Sequence, residues 1–142
     1  MAKTPFHLSI VTPEGSSFDG EIVSLQFPGE DGLIGVWAHH APMLASMRPG
    51  KLIFEEAGHA ERQKTFAVGG GFAEVSDNNA MLLVDTCEAA EDIDVDRARA
   101  ALERAKKLLA QAMSDDSIDA EAAQEAVDRA EARIRAGYTR GA

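Results

Sequence analysis

Basic residues are scarce: 14 Lys plus Arg stand against 24 Asp plus Glu, a formal net charge of −10. Nonspecific nucleic-acid binding and attachment to anionic membranes both need the opposite sign, so neither partner is expected. Cysteine is nearly absent. Cys87 stands alone, which excludes an internal disulfide, and neither cysteine nor histidine falls in the paired spacing of a zinc site. Long apolar runs are missing too. The longest stretch without Lys, Arg, Asp or Glu is 32–47, and Gly35, His39, His40 and Pro42 interrupt it short of a membrane span. Residues 1–7 show no secretory signal. What remains, 45% hydrophobic and 27% charged, is ordinary for a folded soluble chain.

The two parts of the chain differ in composition. Ten of the twelve glycines, all five prolines, all six phenylalanines and Trp37 precede Glu88, whereas the 55 residues from Glu88 onward hold sixteen alanines and one aromatic, Tyr138. This places a β-sandwich domain over 1–87 and a helical domain over 88–142. In the first, short β-type runs alternate with turn signals at the spacing of an all-β sandwich or barrel. Phe6, Leu8 and Ile10 share one strand face, and further strands are expected at 22–27, 51–55, 65–68, 71–75 and 80–85. Turns are expected at Glu14-Gly15, Pro49-Gly50, Ala57-Gly58-His59 and Asp77-Asn78-Asn79.

In the second part Val95, Ala98, Leu102, Ala105, Leu109 and Ala112 follow one another at heptad steps, and Ala120, Ala123, Val127, Ala130, Ile134 and Gly137 repeat the pattern. The short polar break 114–117 between them makes the helices antiparallel neighbours; solvated helices that never pair are the alternative. Asp94 is placed to cap the first, Ser117 or Asp119 the second, and Gly137 to end it. Of twelve seam positions six are Ala and one is Gly, so the seam buries little at about 0.8 kcal/mol per methylene. A hairpin of marginal stability, able to open or re-dock, is expected.

Catalytic motifs are lacking. Gly69-Gly70-Gly71 has no following Lys-Ser or Lys-Thr and suits a bulge or tight turn between strands, where φ must be positive or backbones approach closely. Gly29, Gly32 and Gly35 lack the helix of a dinucleotide site and read as loop glycines. His39 and His40 are adjacent and point to opposite faces of an extended segment, which disfavours chelation. With Trp37, Pro42 and Met43 they form an exposed contact loop. Cys87 is a small, half-buried filler. The suggestive constellation is cationic: Arg97 and Arg104 share one face of the first helix, Arg129 and Arg133 one face of the second. Converging guanidinium groups hold polyphosphates. Solvated faces laced with pairs such as Glu125 with Arg129 are the competing reading.

The order of pieces resembles the epsilon subunit family of F-type ATP synthases, called delta in mitochondria, over nearly the whole chain. Val11-Thr12-Pro13-Glu14-Gly15 with Phe18-Asp19-Gly20 is similar to the family's opening strand and turn. Gly29-Glu30-Asp31-Gly32, Gly35-Val36 and His40-Ala41-Pro42-Met43-Leu44 are similar to its central loop, and Arg48-Pro49-Gly50-Lys51-Leu52 to its next turn. Val68-Gly69-Gly70-Gly71-Phe72-Ala73-Glu74-Val75 and Leu83-Val84-Asp85-Thr86 match the last strands.

The resemblance implies an N-terminal β-sandwich followed by an antiparallel two-helix hairpin, and a noncatalytic rotor role in the central stalk of a proton-translocating enzyme. It implies gamma and the c-ring as partners, with candidate contacts at Glu30, Asp31, Gly32, Leu33 and Ile34, and at His39, His40, Ala41, Pro42, Met43 and Leu44. Some bacterial members bind regulatory ATP through an Ile/Leu-Asp-x-x-Arg-Ala motif. Here Ile93-Asp94-Val95-Asp96-Arg97-Ala98 matches it, joined by Glu88, Arg104, Arg129 and Arg133. An extended hairpin would reach alpha and beta and inhibit hydrolysis, while ATP would hold it folded. No other cofactor and no metal is expected. Membrane association through the complex at the cytoplasmic face of a bacterial inner membrane follows from the same resemblance. Leu33 stands where relatives often have glutamate, and Ala38-His39 where many have Pro-Gly. An adaptor module whose hairpin docks a different partner is the alternative reading.

Overall fold

Phe6, Leu8 and Ile10 are buried on one face of the first strand, as period-two alternation dictates for a sheet with one face on a core. A computed structural model describes residues 3–58 and 63–139, so the expected turn at Ala57-Gly58-His59 lies outside the described residues at His59. Among the described residues there are nine strands: β1 (Phe6–Thr12), β2 (Gly15–Gly29), β3 (Gly32–Val36), β4 (Met43–Met47), β5 (Gly50–Glu56), β6 (Gln63–Val68), β7 (Gly71–Ser76), β8 (Asn79–Val84) and β9 (Cys87–Ala89). A 3-10 turn (Ala90–Asp92) leads to helices α1 (Val95–Ala112) and α2 (Ala120–Thr139).

The strands hydrogen-bond in the order β1-β8-β7-β4-β2-β5-β6-β9, with β3 also on β2 and β1 also on β2. Only β1 and β8 run parallel. The 15-residue β2 serves both layers. Its start pairs with β1, its end with β5 and β3, and register breaks at Ile10/Val11 and Ile22/Ser24 mark where the ladder bends. Between the layers lie Leu25, Phe27, Leu52, Val68, Leu82 and the β1 residues, with Phe54 held between Phe18 and Phe66 at centroid distances of 4.4 and 5.7 Å.

Three strands depart from the sequence pattern, and one of them, β9, pairs with β6 where no strand is expected. β3 and β4 fall where loop is expected, because glycines at 32 and 35 and the outward Leu44 obscure alternation. Gly29 and Gly32 are therefore strand residues paired across the Glu30-Asp31 turn, and Gly35 lies within β3. Of these three only Gly32 needs a positive φ, 139°. The triple glycine does serve a close approach: a Cβ on Gly71 would overlap the Leu83 carbonyl oxygen and lie 2.8 Å from the Val84 Cα. Both are backbone atoms, so β8 itself would have to move. Gly71→Ala should therefore cost about 2 kcal/mol, in the range of core overpacking. The check is a lower urea midpoint at an unchanged m-value.

The Asp94 carboxylate accepts the Arg97 backbone N–H at 3.0 Å and caps α1. Asp119 caps α2 through the Ala122 N–H at 3.0 Å, whereas Ser117 is engaged elsewhere. Its hydroxyl and N–H donate to Asp115 at 2.6 and 2.9 Å and hold that carboxyl below its usual range.

Gly137 does not stop α2, which runs to Thr139. It is buried within the helix, where a Cβ would lie 2.6 Å from the Val95 Cγ2 and 3.3 Å from the Ile93 Cγ2. Of the seam, Ala98, Ala105, Ala123, Val127 and Ala130 are buried, while Ala120 is exposed in the first turn of α2. α2 carries a second buried line, Ala132 and Ala136. With it the helix packs on β5, β6 and the 3-10 turn, leaving α1 outermost. The dock is built from small residues, Ala67, Ala90 and Ala136, around one large one, Ile93.

Candidate functional site

Where α2 and α1 lean over β6 and β9 they leave a cleft of about 540 Å³. β9 carries Glu88 to one wall, and α2 carries Arg129 and Arg133, one turn apart, to the other. Arg133 Nε donates to Glu88 Oε1 at 2.8 Å and its Nη2 to Oε2 at 3.4 Å, a bidentate pair between sandwich and hairpin. Arg129 faces Glu125 at 3.9 Å. Ala101 of α1 also lines the cleft, and Arg97 and Arg104 lie four residues before and three after it, on the same face of α1. Both are exposed, and neither lines the cleft itself.

The other residues of the expected motif serve the fold. Ile93, 1% exposed, anchors the hairpin; Asp94 caps α1; Ala98 is buried. Cys87 lies on the cleft floor. Burial pushes its thiol up, partly offset by a hydrogen bond from Ser17, so it is a weak nucleophile. Among the described residues no cluster of His, Cys, Asp or Glu has metal-ligating geometry, and no helix is long and apolar enough to cross a membrane.

The expected contact residues are divided by the fold. Glu30 and Asp31 form the β2–β3 turn beside Met47, at one end of the sandwich. Gly32, Leu33 and Ile34 follow on β3 and share a shallow cleft of about 400 Å³ with Leu44 of β4. His39 and His40 sit at the opposite end, next to the β7–β8 turn, because β4 runs antiparallel to β7 from Met43 opposite Val75 to Met47 opposite Gly71. Ala41 and Pro42 are exposed in the connection, and Met43 is partly buried against the core.

A broader surface lies beside them. Ser46, Phe72, Leu83 and Val11 are successive neighbours across β4, β7, β8 and β1, and Leu44, Glu74 and Met81 form the next row. All point away from the core. Leu44 is 75% exposed, Phe72 57%, Leu83 49% and Met81 46%. Composition does not reveal this face, but one sequence signal does. The run Ala80-Met81-Leu82-Leu83-Val84 is apolar at both phases, where a half-solvated antiparallel strand should alternate.

A sandwich with an open apolar face, carrying a docked hairpin above an arginine-lined cleft, defines a two-domain chain of β-sandwich and helical hairpin. Residues 5–90 match the family described as "ATP synthase, Delta/Epsilon chain, beta-sandwich domain", and 91–137 its "long alpha-helix domain". The ATP synthase epsilon chain of Anaeromyxobacter sp. (strain K) is 44% identical over 128 residues, covering 89% of this chain and 93% of that one. That of Desulfitobacterium hafniense (strain Y51) is 42% identical over 131 residues, covering 92% and 95%. Among solved structures, a chain of the Euglena gracilis mitochondrial ATP synthase (OSCP/F1/c-ring) superposes with a TM-score of 0.81 at 20% identity, covering 96% of this chain and 83% of that one. One from the Tetrahymena thermophila mitochondrial ATP synthase central stalk and c-ring gives 0.57 at 16% over the full length of both. The chain belongs to the ATP synthase delta/epsilon family.

Proposed function

We propose that the chain is a noncatalytic central-stalk subunit of a proton-translocating F-type ATP synthase, seated on gamma and turned toward the c-ring at the cytoplasmic face of a bacterial inner membrane. The open apolar face of β4, β7 and β8 carries this reading, because contiguous exposed apolar area on a folded domain marks a protein partner. The names of its bacterial relatives support the same assignment. Torque transmission asks for a stiff body and wide contacts, which a close-packed sandwich supplies. Co-purification of the tagged chain with gamma and a c-ring tests it. Recovery of neither would favour the adaptor reading.

The hairpin is the regulatory part of this proposal. Docked, its arginine cleft takes ATP, with Arg129 and Arg133 toward the phosphates and Arg97 and Arg104 in reach from α1. Extended, it contacts alpha and beta and slows hydrolysis. A ligand that binds only the docked form shifts the balance toward it. Calorimetric titration of ATP into the full chain should give saturable binding. Arg129→Ala/Arg133→Ala should weaken it about 100-fold, at roughly 1.5 kcal/mol per charged hydrogen-bonding group. No binding by the wild type up to millimolar ATP would leave the rotor role standing and remove the nucleotide from the account.

A further inference from the structure

Asn78 joins three segments far apart in sequence. Its Oδ1 accepts the His39 backbone N–H at 2.9 Å, its Nδ2 donates to the Pro5 carbonyl at 3.2 Å, and its own carbonyl accepts the His7 N–H at 3.1 Å. A main-chain donor faces one end of the amide and a main-chain acceptor the other, so its orientation is determined. The residue it holds is itself unusual. His39 has φ 65°, a left-handed conformation uncommon for residues other than glycine, inside a tight turn closed by the His40 N–H to the Trp37 carbonyl at 3.2 Å. Asn78 has φ 60° and, with Asp77 at 50°, forms the two-residue β7–β8 connection, where asparagine is well suited.

We propose that Asn78 is the positioning residue of the Trp37–His40 turn. Its carboxamide offsets the strain at His39 and fixes how Trp37, 61% exposed, and His40 are presented to the partner. Ordering the loop beforehand spares the partner that cost on binding. The presentation to a partner rests on the rotor reading; the ordering of the turn does not.

Two variants of the full chain separate the roles. Asn78→Gly keeps the left-handed β7–β8 turn and deletes both side-chain hydrogen bonds. Asn78→Asp keeps an acceptor for His39. Trp37 is the chain's one tryptophan, so its fluorescence anisotropy reads the loop directly. In Asn78→Gly the anisotropy should fall, and exchange of the His39 amide should quicken about tenfold or more, with the urea midpoint little changed. Asn78→Asp should restore most of both signals. If the ordered loop falls to about a tenth of the population, affinity for a gamma–c-ring subcomplex falls about tenfold. Wild-type anisotropy and exchange in Asn78→Gly would overturn the proposal. Altered loop signals with no effect on measurable gamma–c-ring binding would overturn its functional half. Failure of the wild type itself to bind that subcomplex would count against the rotor reading, leaving the loop result separately readable.

Discussion

Gly137→Leu should release the hairpin while the sandwich stays folded. Even the first added carbon would sit 2.6 Å from the Val95 Cγ2 and 3.3 Å from the Ile93 Cγ2. Both neighbours are β-branched and stiff, and Ile93 is wedged among Ala67, Ala90 and Ala136 without room to yield. Overpacking by a whole leucine side chain costs roughly 3 kcal/mol, enough to shift the docked population on the order of 100-fold. Helix propensity acts in the opposite direction, favouring Leu over Gly within α2 by about 0.8 kcal/mol. The expected signature is therefore helical circular dichroism retained, with docking lost.

Cys87 is a built-in reporter of that change. It lines the cleft floor, and burial holds its thiol above its ordinary range. Lifting α2 removes part of that burial, so the thiol moves down and more thiolate is present at a given pH. Labelling by a disulfide reagent should accelerate about tenfold or more. Labelling at the wild-type rate, with α2 amides still protected, would show that the Gly137 contact does not hold the dock.

Phe72→Glu combined with Leu83→Glu should abolish assembly with gamma and leave the isolated chain folded. The two residues are cross-strand neighbours on β7 and β8 and about half exposed, so the free domain tolerates the exchange. Under a partner, each carboxylate would be buried without a counter-ion, at about 3 kcal/mol or more each, hence a loss of at least 100-fold in affinity. Size-exclusion chromatography of mixtures with purified gamma reads the outcome. Normal assembly would move the gamma seat off this face, toward the β2–β3 turn and Leu33.

Some of this organisation is local and therefore legible in the chain. The break in composition at Glu88, the alternation of Phe6, Leu8 and Ile10, the heptad seam and the Asp94 cap all depend on neighbours within a few residues. The order of motifs carried the family. The two arginines that line the cleft, Arg129 and Arg133, were also readable as one helical face, four residues apart, although Glu88, the partner of Arg133, required a resemblance rather than a pattern.

Tertiary structure decided the rest, because it depends on contacts between distant segments. Nothing near Gly137 distinguishes a helix stop from a notch; the side chains of Ile93 and Val95, more than forty positions earlier, make it a notch. Alanine has no strong preference of face, so only docking shows that Ala136 packs with Ala67, Ala90 and Ile93 and that Ala123, Ala130 and Ala132 are buried as well. Likewise Leu44, Phe72, Met81 and Leu83 join into one surface only through the β4–β7–β8 register. Local periodicity specifies which elements form and where they are capped. Which of their faces remains open, and hence where a partner can sit, is set by how the sheet closes and what the hairpin covers.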